Sequence, residues 1–70
     1  MKTATIGQVV KFAAPEDEYE AAERFVVCED RGDRALVQCI GGFDDWSIKP
    51  QAVYPLSDLC KAERVRRIRL

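Results

Sequence analysis

Carboxylates are the main candidates for acid–base chemistry in this chain, because its 70 residues include no histidine. Histidine is the commonest general base and metal ligand, and it activates serine and cysteine nucleophiles. The two acidic groups are Glu16, Asp17, Glu18, Glu20 and Glu23, and Asp44 with Asp45. Neighbouring acids in polar segments are normally solvated and titrate near their reference values. We therefore predict no catalytic residue and no enzyme activity.

The cysteines could bind a metal or form disulfides, but their spacing favours neither. Cys28, Cys39 and Cys60 contain no C-x-x-C pair, so a zinc site would need a fourth ligand from elsewhere. Their odd number, together with an N-terminus that lacks the apolar run of a signal peptide, points to free thiols in a reducing compartment. We expect a cytoplasmic protein with small buried thiols, no bound metal and no cofactor.

Charge is distributed unevenly, although the net charge is only −1. Acids dominate residues 16–23, whereas the last ten residues hold Glu63 against five bases, Lys61, Arg64, Arg66, Arg67 and Arg69. The four arginines could neutralise nucleic-acid phosphates, or the two patches could be complementary surfaces of an oligomer. The acidic segment would repel a polyanion unless the patches face opposite ways. A solvated acidic loop and an ordinary basic tail are the alternative.

Aromatic residues are concentrated around a turn rich in glycine, aspartate and proline at residues 41–50. Phe43 and Trp46, with Tyr54 beyond the turn, could form a platform for a peptide or for an unstacked base. Alternatively, Trp46 covers the open end of the core. No apolar run approaches the roughly 18 residues that a membrane-spanning helix needs, so we expect no membrane partner.

The element that must position these residues is a β-hairpin at residues 25–40, where two apolar β-branched runs flank a polar turn. A type I turn with Gly32 in the left-handed conformation would pair Val27 with Ala35 and Phe25 with Val37, and it would pair Glu29 with Asp33. That register predicts a core face of Phe25, Val27, Ala35, Val37 and Cys39.

The opposite face of the hairpin is mixed rather than polar. It holds Arg24, Val26, Cys28, Arg34, Leu36, Gln38 and Ile40. Such a face is usually half covered, by the chain's own ends or by a partner. We predict self-association through Val26, Leu36 and Ile40.

The remaining segments complete a single domain, residues 1–70. We predict a first strand at 5–12, one or two helical turns or an acidic loop after Pro15, a strand at 51–55, and a helical turn at 56–59 capped by Ser57. Residues 61–70 are a basic C-terminal strand or tail, with a terminal helix over 60–67 as the alternative. The predicted fold class is mainly β, a small five-stranded antiparallel SH3-like barrel with a short helical or acidic loop after the first strand.

This order of elements resembles the small SH3-like β-barrel. Residues 6–10 followed by 24–27 are similar to the opening of the MazF-type toxin endoribonucleases, although Phe25 replaces the usual proline. Residues 51–55 are similar to a C-terminal motif of the type II dihydrofolate reductases, with Ala52 in place of the cofactor-binding glutamine. Both resemblances imply the barrel fold and neither activity.

Two hypotheses about function follow. The first is a non-enzymatic interaction or accessory module that binds another protein or a second copy of itself. The second is a nucleic-acid-binding module that uses Arg64, Arg66, Arg67 and Arg69 with the aromatic loop. An enzyme is third, and would require several copies to build a shared pore or cleft.

Overall fold

Five antiparallel strands form one sheet in the computed structural model, which describes residues 1–41 and 51–62. The elements in chain order are β1 (Val9–Phe12), helix α1 (Glu18–Ala22), β2 (Arg24–Asp30), β3 (Arg34–Gly41), β4 (Gln51–Pro55), a 3₁₀ helix (Leu56–Asp58) and β5 (Leu59–Lys61). The strand order is β4-β3-β2-β1-β5. The predicted mainly β class with five antiparallel strands is confirmed. The sheet is not closed, since β4 and β5 are its two edges, so the predicted barrel is not confirmed.

The hairpin of β2 and β3 is present, but the predicted register is wrong. Val27 lies opposite Val37 and Phe25 opposite Cys39, two residues further along β3 than expected. The turn is a two-residue loop in which Gly32 has φ of 78° and Asp33 has no positive φ. This is the pattern of a type II′ turn, whose twist suits a hairpin better than type I. The Arg31 N–H donates to the Arg34 carbonyl at 2.9 Å and closes the loop.

A β-bulge at Cys28 places the apolar side chains of β2 and β3 on the same face of the hairpin. Near the turn, Asp30 pairs with Ala35 and Glu29 with Leu36, and beyond Cys28 the pairing shifts by one residue. Opposed residues share a face of a sheet, and a shift of one residue exchanges the faces. Without the bulge, the apolar side chains of β2 would lie opposite the mixed face of β3.

The core face predicted for the hairpin is confirmed. Its side chains are all buried, and they pack with residues from β1, the 3₁₀ helix, β5 and the N-terminal segment. The buried residues are Ala4, Val10, Phe25, Val27, Ala35, Val37, Cys39, Leu56 and Leu59. One layer of apolar side chains, mostly aliphatic and including the ring of Phe25, therefore holds the described fold together.

The first strand is shorter than predicted. It begins at Val9, because Ile6 and Gly7 form a turn in which Gly7 has φ of 89°. Such a φ is reached without strain by glycine alone. The preceding segment crosses toward the 3₁₀ helix, where the Met1 ammonium group donates to the carbonyls of Leu56 at 2.9 Å and Leu59 at 3.1 Å.

The two predicted helical segments are each a single turn. Helix α1 begins later than Pro15 suggests, because Asp17 is its N-cap. The 3₁₀ helix has Pro55 as its N-cap, and no side chain caps it, so the predicted capping by Ser57 is wrong. Residues 59–61 form strand β5. The predicted strand, tail or helix at residues 63–70 lies outside the described residues.

We predict that Val37→Ala lowers the free energy of unfolding by about 2–3 kcal/mol, because it deletes two buried methyl groups and leaves a cavity. Val37 is fully buried on β3. Val53→Ala on the neighbouring strand is the matched control, since Val53 is 38% exposed. Val53→Ala makes the same change in β-propensity, and we expect it to lower the free energy of unfolding by less than about 1 kcal/mol. Urea denaturation compares the two, and equal losses would contradict this assignment of the core.

Candidate functional site

A groove lies where the end of β1, the segment before α1 and the 3₁₀ helix meet. Its volume is about 400 Å³. We call it the acidic-aromatic groove, and its lining residues are Phe12, Ala14, Glu16, Glu20, Tyr54, Ser57 and Asp58. Pockets of roughly 300–1,000 Å³ are the usual size for ligand sites in proteins.

Three packed aromatic rings connect the groove to the core. The ring centroid of Phe12 lies 5.2 Å from that of Tyr54 and 5.3 Å from that of Phe25, with edge-to-face angles of 79° and 72°. The Phe25 and Tyr54 centroids are 5.6 Å apart. Edge-to-face pairs of this kind contribute about 0.5–1.5 kcal/mol each beyond the burial of area. Phe25 is buried, whereas Phe12 and Tyr54 are partly exposed and line the groove.

The N-terminal cap of α1 positions the acidic side of the groove. The Asp17 carboxylate accepts from the Glu20 N–H at 2.8 Å, and the Glu20 carboxylate accepts from the Glu16 N–H at 3.0 Å. This reciprocal arrangement resembles a capping box. At the other end of α1, the Arg24 guanidinium donates to the carbonyls of Ala21 and Glu23, each at 2.8 Å. The caps hold Glu16 and Glu20 beside each other at the rim.

The opposite side of the groove is fixed by the 3₁₀ helix. The Ala13 N–H donates to the Asp58 carbonyl at 2.9 Å, which joins the end of β1 to the turn that carries Ser57 and Asp58. Leu56 of the same turn is buried in the core. The wall is therefore anchored both by a backbone bond and by an apolar side chain.

The groove is electronegative. In residues 1–41 and 51–62 the one ion pair joins Arg31 to Glu29 at the hairpin tip, so Glu16, Glu20 and Asp58 have no cationic partner there. The pKa of Tyr54 is raised, first by burial and then by the charges of Glu23, Cys39 and Glu20. Both effects disfavour a further negative charge at this place. The arrangement suits a ligand that brings positive charge.

Few of the predicted site residues can be located in this groove. Tyr54 is there, but its described ring partners are Phe12 and Phe25. Phe43 and Trp46 of the predicted aromatic platform lie outside the described residues. So do the four arginines proposed for nucleic acid, Arg64, Arg66, Arg67 and Arg69. The platform and the arginine site stay predictions.

The mixed hairpin face lies on the side of the sheet opposite the core. Val26 and Leu36 are half-buried and Ile40 is 41% exposed. Leu36 lies opposite Val53, and Val26 opposite Val9 of β1, so β1 and β4 extend the apolar character of this face. Self-association through Val26, Leu36 and Ile40 stays a prediction.

The sequence analysis missed Phe12, Ser57 and Asp58 as groove residues. Phe12 was assigned only to a strand, and Ser57 only to a cap. The contact between residues 12–20 and 54–58 spans most of the chain, and local patterns carry no signal for it. The acidic run beside an aromatic strand end was the one available hint.

The described thiols and carboxylates include no metal cluster. Cys39 is buried and Cys28 and Cys60 are half-buried, all three as free thiols. No group of three or more cysteine, aspartate or glutamate side chains in the described ranges could hold a metal ion. Helix α1, with five residues, is far too short to cross a bilayer, and no other described helix could do so.

Comparison with known proteins identifies no relative. No family model, no curated protein and no solved structure matches this chain. Conclusions about function therefore depend on the groove and on the surfaces of the sheet.

We predict that Tyr54 ionises above the ordinary pKa of tyrosine, and that Glu23→Gln lowers its pKa, because Glu23 is the largest charge contribution after burial. Titration of phenolate absorbance in a Tyr19→Phe background isolates Tyr54, since the chain has two tyrosines. Glu18→Gln is the control, because Glu18 is not among the groups that shift Tyr54. Equal effects of the two substitutions would contradict the assigned cause.

The raised pKa of Tyr54 also determines how the free energy of unfolding changes with pH. Folded Tyr54 holds its proton more tightly than unfolded Tyr54, so this stabilisation is complete below the unfolded pKa of about 10 and is lost as pH rises through the folded pKa. The free energy of unfolding should therefore fall at alkaline pH. Tyr54→Phe should reduce that fall.

Proposed function

We propose that the chain is a non-enzymatic protein-interaction module that binds a basic segment of a partner in the acidic-aromatic groove. The observation that carries the proposal is the combination of carboxylates on Glu16, Glu20 and Asp58, which have no cationic partner among residues 1–41 and 51–62, with the partly exposed rings of Phe12 and Tyr54. Carboxylates attract lysine and arginine, and aromatic faces attract the same cations through their quadrupole. One basic side chain can satisfy both features.

The fold supports an interaction role. The strand order β4-β3-β2-β1-β5, with a 3₁₀ helix between the two edge strands, is consistent with the SH3-like barrel suggested by the order of elements. Proteins with this architecture include peptide-binding domains that dock extended ligands in aromatic-lined grooves. We infer the SH3-like assignment and the interaction role together. The order of elements suggests the fold, and the junction of β1 with the 3₁₀ helix in that order forms the groove.

The nucleic-acid alternative receives less support from the described surface. Phosphate groups would be repelled by Glu16, Glu20 and Asp58, so an oligonucleotide could not use this groove. It would need the arginines at 64–69 on a separate surface. Nucleic-acid binding thus remains the second candidate only as a sequence-based hypothesis.

The test is binding of a short fluorescent peptide of alternating arginine and proline, measured by anisotropy with the full chain. We expect saturable binding that weakens as salt rises, because the contacts are between partly exposed charges. Glu16→Gln/Glu20→Gln should weaken binding about tenfold, within the range of two ion pairs at roughly 0.2–1 kcal/mol each. Glutamine at position 20 can still accept the hydrogen bond from the backbone N–H of residue 16, so the cap of α1 is kept.

The matched control is Glu29→Gln/Asp33→Asn, which removes the same charge at the hairpin tip. It should leave the affinity unchanged. A peptide with glutamate in place of arginine should not bind. Equal weakening by the two double variants would show a non-specific charge effect and would refute the groove as the binding site.

A further inference from the structure

We propose that the basic segment bound in the acidic-aromatic groove is residues 64–69 of a second copy of this chain. This inference rests on the proposed function and names its partner. The interaction would join two different surfaces, the groove of one copy and the C-terminal segment of the next.

Charge complementarity within the chain is the first argument. The groove carries Glu16, Glu20 and Asp58 without a described cationic partner. The chain's densest cluster of positive charge is the segment that holds Arg64, Arg66, Arg67 and Arg69. Two unlike patches on one chain satisfy each other when copies associate, and the net charge of −1 does not oppose that association.

The composition of the segment also suits the aromatic floor. Val65 and Ile68 alternate with the arginines. An arginine side chain can stack its guanidinium over Tyr54 or Phe12, and a neighbouring aliphatic side chain can cover the rest of the ring. A polylysine-like tract would supply the charge but not this apolar contact.

The direction of β5 is the argument for a second copy. Leu59 pairs with Phe12 beside the groove, Lys61 pairs with Val10, and the Ala62 N–H donates to the Val9 carbonyl at 2.9 Å. The chain therefore runs about 10 Å away from its own groove between Leu59 and Ala62, at roughly 3.3 Å per residue. The segment of the same copy would have to reverse this direction to enter its own groove, whereas the segment of a second copy would not. A groove filled by its own segment would leave the protein monomeric, so light scattering distinguishes the two cases.

Association of this kind is heterologous, and two properties follow. Copies either close into a ring or a reciprocal pair, or continue as a chain whose mass rises with concentration. Because the contacts are ionic and partly exposed, high salt should dissociate them. Self-association through the apolar face of Val26, Leu36 and Ile40 would instead persist in salt.

Two variants of the full chain test the proposal. Arg66→Gln/Arg67→Gln weakens the donor segment and keeps the groove, while Glu16→Gln/Glu20→Gln weakens the groove and keeps the segment and the acceptor of the α1 cap. Light scattering after size exclusion should show a concentration-dependent mass for the wild type at low salt. Each variant alone should be monomeric. An equimolar mixture of the two should form a one-to-one dimer, because one intact groove meets one intact segment.

Arg31→Gln/Arg34→Gln is the control, since it removes two arginines from the hairpin tip and should leave the wild-type mass unchanged. Circular dichroism and urea denaturation confirm that each variant is folded. A wild type that stays monomeric at all concentrations, or a mixture that stays monomeric, would overturn the proposal. Salt-resistant association retained in both variants would also overturn it, and would assign the interface to the outer face of the sheet.

The arginine–proline peptide separates this failure from failure of the proposed function. If that peptide still binds the groove while the mixed variants do not associate, the groove binds a basic partner other than this chain. If neither the peptide nor the second copy binds, both proposals are rejected.

Discussion

The β-bulge at Cys28 is the constraint on which the rest of the sheet depends. The two-residue turn at Gly32 and Asp33 sets a pairing in which Val27 would face Gln38. One additional residue in β2 changes the partner of Val27 to Val37 and brings the apolar side chains of both strands to one face. Since β1 and β4 pair with the two strands of this hairpin, the bulge decides which face of the whole sheet becomes the core.

The core and the candidate groove share residues, so the site is a consequence of the fold rather than an addition to it. Phe25 is buried among the aliphatic residues and at the same time contacts both aromatic rings of the groove. The backbone bond from Ala13 to Asp58 holds the acidic wall at the end of β1. The ring contacts and this backbone bond fix the floor and one wall of the groove before a ligand binds, which lowers the entropy cost of binding.

The sequence predicted local features well and long-range features poorly. The alternation of Phe25, Val27, Ala35, Val37 and Cys39 revealed the core face, because strand side chains have a period of two and a register error of two residues preserves the face. The turn type and the bulge at Cys28 were missed, since many turns tolerate the same residues. The groove was missed because Phe12 and Asp58 meet only through the tertiary fold.

The pairing of β1 with β5 has a consequence for how the chain folds. The β2–β3 hairpin closes a short loop, whereas the contact between Val10 and Lys61 joins two strands that lie far apart in the chain. Loop closure over long separations costs more entropy and slows the search. The hairpin is therefore suited to act as the folding nucleus. The junction that carries the groove depends on contacts of high sequence separation, so we expect it to form after the hairpin.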